Sequence, residues 1–202
     1  MKDFLGIAQD VWPSKCHIYI FGDKTIWDEF YKKPGERLPG AEAYTNGPEL
    51  FIYCDLFFLA PQKTLAHEIT HIVLHRFIKG TPPLFLNEGF AEFMAYKAIA
   101  QQTDGNEFAM RTIQMIPPEN VIPLKELVEM RDYPAAKEIF YQESELLVRY
   151  LILNYDQKHF FDLLSQTSDG VSFSSALNSI YGLELDKLEP KFLAYAVALS
   201  QK

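Results

Sequence analysis

From Pro61 onward, Leu65, Ile69, Ile72, Val73 and Phe77 recur at the spacing of one helical face, until Gly80-Thr81-Pro82-Pro83 ends the run. Pro61 suits a first helical turn, where a missing N–H costs nothing. Inside this helix stands His67-Glu68-Ile69-Thr70-His71, and no other feature constrains the chain as much. Positions i and i+4 stack on one helix face. The two imidazoles therefore converge on one point, as two ligands of a tetrahedral zinc must. Glu68 projects roughly 100° round the axis and flanks the metal without binding it, the position of a base acting on water. With three fixed positions, the pattern also has a dull reading, His and Glu on a solvated helix face. The residues that follow separate the two.

After His71, with sixteen residues intervening before Glu88, the chain reads Leu86-Asn87-Glu88-Gly89-Phe90-Ala91-Glu92-Phe93. This block resembles the second motif of the gluzincin zinc metallopeptidases, and is most similar to aminopeptidase N-type enzymes and small peptidase MA-like domains. The resemblance covers about residues 40–155 and implies that Glu88 is the third zinc ligand beside His67 and His71. Metzincins instead carry Gly three and His six residues after the second His; here those positions hold Leu74 and Phe77, which excludes that class. His75, one turn beyond His71, reads as a solvated imidazole or a neighbour of the ligands rather than a ligand.

The same resemblance assigns further residues. Glu92 shares a helix face with Glu88, and gluzincins use an acid there to hydrogen-bond the far nitrogen of a zinc-bound imidazole, expected to be His67. Tyr141-Gln142-Glu143-Ser144-Glu145-Leu146-Leu147 is similar to the Tyr-x-x-Gly/Ser-x-x-Leu helix whose phenol steadies the oxyanion of the transition state. Gly40-Ala41-Glu42-Ala43-Tyr44 lies where the family pairs substrate main chain with an edge strand, so Ala41, Glu42, Ala43 and Tyr44 are the expected docking strand. In aminopeptidase N-type enzymes a glutamate of this segment holds the substrate amine. Its position falls on Ala43, with Glu42 one residue earlier, and a one-residue shift turns a side chain to the opposite face. Exopeptidase specificity is therefore not implied.

Composition narrows the partners. Of 202 residues 48% are apolar, including 16 Phe and 11 Tyr, enough for a packed core. A net charge of −8 without a Lys/Arg stripe would repel a nucleic-acid backbone, so the expected partner is a peptide or protein substrate and not nucleic acid. No stretch of 18 uncharged apolar residues spans a membrane. Met1-Lys2-Asp3-Phe4-Leu5-Gly6 lacks the features of a signal peptide, which fits a cytoplasmic chain, or an extracytoplasmic one whose signal sequence has been removed. Cys16 and Cys54 read as two buried thiols, with a single bridge between neighbouring strands as the alternative. Oligomeric state leaves no trace in the sequence.

The expected fold is α+β, with one metallopeptidase-like domain over 1–202. Residues 1–60 are β-rich: a strand over 16–22, a helix from Ile26 to Tyr31, and a hairpin joining Ala41–Thr45 to Leu50–Cys54 through Asn46-Gly47. Residues 61–100 hold the zinc-binding helices, the second expected from Glu88 to about Ala100. Residues 101–202 are helical, with helices near 107–115, 123–131, Ala135–Asn154, 157–166, 173–181 and 186–200. By resemblance this is a thermolysin-like zincin: a small twisted sheet with an edge strand, the active-site helix and the glutamate helix, then a helical subdomain. The function implied is zinc-dependent peptide-bond hydrolysis, with one Zn2+ per chain and Glu68 as general base. The alternatives are a zinc-bearing peptide-recognition module without turnover, and a metal-free helical domain. Ligand type alone admits other divalent ions.

Overall fold

The computed structural model describes residues 15–31, 43–47, 49–54, 61–100 and 121–200. Its strands are β1 (His17–Phe21), β2 (Ala43–Asn46) and β3 (Glu49–Tyr53), in the order β1-β3-β2. β1 runs parallel to β3, and β2 runs antiparallel to it as the expected hairpin. Because side chains alternate, Tyr19, Phe51 and Tyr44 fall in register on one face. They stack with ring centroids 4.8 and 4.9 Å apart. Helix α1 (Lys24–Tyr31) covers this face, Phe30 lying 5.0 Å from Phe51 and Trp27 buried beside it. Asp23 starts that helix by accepting the Thr25 and Ile26 N–H groups.

The opposite face buries Leu50 and Ile52, and helix α2 (Pro61–Phe77) packs against β2 and β3. The bridge weighed for Cys16 and Cys54 does not form. Both are free thiols, the first half-buried and the second buried. The parallel register puts them at opposite ends of β1 and β3, about 20 Å apart at 3.3 Å per residue, far beyond disulfide reach.

Helix α3 (Leu84–Ala100) begins four residues before Glu88, where the sequence pattern had placed its start. The Pro83 carbonyl accepts the N–H groups of Leu86 and Asn87, so the prolines open the helix as well as closing the previous run. The turn before it is fixed at Gly80, whose φ is +83° and whose Cβ position would fall 2.0 Å from the Ser168 carbonyl oxygen; only glycine fits. The remaining helices are α4 (Leu124–Leu127), α5 (Lys137–Asn154), α6 (Gln157–Ser168), α7 (Phe173–Tyr181) and α8 (Leu185–Ser200). The helix expected near 107–115 lies outside the described residues.

One continuous core runs through the helical part. Phe85, Leu86 and Phe90 of α3, Leu147 and Leu151 of α5, and Phe160 and Leu163 of α6 are fully or almost fully buried within it. Each such side chain contributes roughly 1.5–3 kcal/mol by leaving water. Helices α3 and α5 meet closely at Gly89, where a Cβ would come 2.3 Å from the Ser144 carbonyl oxygen of α5. That absence of a side chain lets α3 and α5 cross next to Glu88 and Tyr141. No described helix is long and apolar enough to cross a membrane.

Candidate metal centre

Helical geometry places His67 and His71 one above the other on α2, with His67 Nε2 and His71 Nε2 3.0 Å apart. Glu88 comes from the first turns of α3, which packs along α2. Its Oε2 lies 3.3 Å from His67 Nε2 and 3.5 Å from His71 Nε2. Two donors held 2.0–2.1 Å from a tetrahedral ion stand about 3.3 Å from each other. The three observed separations bracket that value, so the donor set fits a small divalent cation. Among the described residues these three side chains are the group that could hold a metal, their ligand atoms all within 4.8 Å of one another.

Acidic residues crowd this cluster. His67 Nδ1 lies 3.0 Å from Glu92 Oε1, an ion-pair distance, although its N–H is not aligned for a good hydrogen bond. Glu92 Oε2 in turn meets Lys63 Nζ at 2.7 Å, and the ammonium sits 4.3 Å from the centre of the Tyr96 ring. Burial disfavours a charged imidazole at His67, but Glu88 and Glu92 outweigh it and push its pKa up to about 10. Burial alone would raise Glu88; hydrogen bonds from His67 and His71 hold it well below the usual carboxylate range. Glu92 is likewise held low against burial, by His67 and Lys63. Such a cluster draws positive charge to His67, as a proton or as a divalent ion competing with it.

Glu68 is half-buried beside the group. Burial raises its pKa, and the charges of His71 and His67 oppose the rise without cancelling it. A carboxylate so shifted is a better proton acceptor near neutral pH. Tyr141 of α5 stands 6.3 Å from His67, ring centre to ring centre. Burial, and then the charge of Glu88, keep its phenol protonated far above the ordinary tyrosine range. Ala43 and Tyr44 lie on β2, at an edge of the described sheet. Ala41 and Glu42 are outside the described residues. His75, one turn beyond His71 on α2, is exposed, the solvated imidazole of the sequence analysis.

Two contacts escaped the sequence reading. Asn87 Oδ1 lies 3.2 Å from His71 Nδ1, a hydrogen-bond partner on that imidazole's far nitrogen. The signal for it was adjacency: Asn87 directly precedes Glu88 on the same helix. The Tyr133 hydroxyl donates to Glu88 Oε1 at 2.8 Å, from the irregular segment between α4 and α5. Nothing periodic marked it. No curated protein matches the sequence. A family model described as the peptidase MA superfamily does match, over residues 11–198. That span takes in both strand and helix parts and the whole His67, His71 and Glu88 cluster, and the chain belongs to the peptidase MA superfamily.

Proposed function

We propose that this chain is a zinc-dependent metallopeptidase of the gluzincin type that hydrolyses peptide bonds, with the whole chain forming one thermolysin-like zincin unit. The observation that carries the reading is the facing of His67 Nε2, His71 Nε2 and Glu88 Oε2, at spacings suited to one tetrahedral ion, with Glu68 beside them. A zinc ion held there supplies Lewis acidity and lowers the pKa of water to about 7. Glu68 takes the proton of the attacking water on its carboxylate and delivers it to the leaving amine. Glu92 and Asn87 hold the imidazoles in the tautomer that presents Nε2. The Tyr141 phenol, kept protonated by its surroundings, donates a hydrogen bond to the developing oxyanion. β2 offers an extended edge for the substrate main chain.

Metal content and peptide turnover, measured on the parent, on Glu68→Gln and on Glu88→Ala, test the reading. The expected result is near one zinc per chain in the parent and in Glu68→Gln, markedly less in Glu88→Ala, and turnover only in the parent. Equal turnover in parent and Glu68→Gln would sink the mechanism. Zinc bound without turnover in any peptide assay would leave a metal-bearing recognition module.

A further inference from the structure

The two oxygens of Glu88 have different neighbours. Oε2 faces both imidazoles, whereas Oε1 accepts the hydroxyl of Tyr133 at 2.8 Å. The donor is 45 residues away in sequence. Its ring is set by a perpendicular contact with Phe140 at 6.1 Å and a tilted one with Tyr141 at 6.0 Å. Tyr133 is only half-buried, so water could satisfy its hydroxyl. The ring is instead turned inward onto one carboxylate oxygen of the candidate metal site.

We infer that Tyr133 is a positioning residue that makes Glu88 a one-oxygen ligand. The inference rests on the metal-site reading above. A carboxylate with both oxygens free can take two positions on a small cation, and a zinc site with three protein ligands then loses the position it needs for water and substrate. A phenol bonded to Oε1 withdraws that oxygen, and bonds to an ionised acceptor are about twice as strong as neutral ones. Oε2 alone remains for the ion. The bond also ties the orientation of Glu88 to the segment that leads into Tyr141, so ligand and oxyanion donor are placed by one contact.

Cobalt(II) bound to the full chain reports on this directly, because its visible bands weaken as coordination number rises. The parent, Tyr133→Phe and Tyr141→Phe are compared by cobalt spectrum and by competition with a chelator, with Tm of each chain as the check on folding. Tyr133→Phe keeps the ring and its packing and removes only the donor. It is expected to bind cobalt about tenfold more weakly and to show weaker bands. Tyr141→Phe, which leaves the bond to Oε1 in place, is expected to match the parent in both. A Tyr133→Phe chain with the parent's affinity and spectrum overturns the inference while the metal site stands. So does a Tyr141→Phe chain that shows the same losses, since shared packing would then explain them. A parent that binds neither cobalt nor zinc overturns the metal reading itself, and the inference falls with it.

Discussion

Helices α2 and α3 lie side by side and supply one cluster, yet they are built differently. α3 buries Phe85, Leu86, Glu88, Gly89, Phe90, Ala91, Phe93, Met94 and Ala95, which leaves almost no face to water. α2 buries Ile72, Val73 and Leu74 toward its end, while His67 and Glu68 are half-buried and His75 is exposed. The deep helix contributes two carboxylates, Glu88 and Glu92, whose charge is compensated within the cluster. The shallower helix contributes His67 and Glu68, half-buried groups that the proposed reaction would bring to water and substrate. A substitution at Glu68 of α2 should therefore act mainly on chemistry, and one at an apolar position of α3 mainly on the fold.

The contrast breaks first, if it breaks, at Glu68. Glu68→Gln should lower turnover by about 100- to 10,000-fold, while Tm stays within a few degrees of the parent; a large loss of Tm would show that α2 is structural after all. Phe90 is the opposite arm, fully buried with its ring 5.4 Å from that of Phe160. Phe90→Ala should cost about 3–5 kcal/mol in urea unfolding, through lost burial and the cavity left behind.

The interior that receives α3 carries its own electrostatic cost, at Glu143 of α5. That side chain is 1% exposed and its Oε1 has no partner among the described residues, while Oε2 accepts the Ile122 N–H at 2.9 Å. Burial pushes its pKa up to about 7, against the bond from Ile122 and helped by the charge of Glu189. The folded chain thus holds this proton more tightly than the unfolded one. Stability should fall as pH rises from about 4.5 to about 7, by up to about 3 kcal/mol. Glu143→Gln should remove that slope and be the more stable protein above pH 7, as urea midpoints across the range would record. The smallest expected effect is on the exposed side of α2, where His75→Ala should change stability by no more than about 0.5 kcal/mol.

Much of this arrangement was legible because it is local. The i, i+4 spacing that joins His67 to His71 and Glu88 to Glu92 is a property of any helix, and the hydrophobic period showed that both segments are helices. The start of α3 was misplaced because Pro82-Pro83 signals an ending and a beginning equally well. Tyr133 stayed hidden for a different reason. It stands on irregular backbone, and its partner is fixed only once α3 and α5 have packed, a tertiary event without a period in the sequence. The register that keeps Cys16 from Cys54 was hidden likewise, since a parallel pairing of β1 with β3 needs a crossover that no local pattern announces.

The crossing of Gly89 over Ser144 also has a mechanical side. A tilt of α5 against α3 would take this tight backbone approach as its fulcrum. Tyr141 is three residues from Ser144, about 4.5 Å along the axis, so a tilt of about 10° carries it only about 0.8 Å. Asn154, ten residues away on the other arm, would swing about 2.6 Å under the same tilt. The phenol would ride on the short arm of such a lever, and any tilt of α5 would displace it less than the helix's far end.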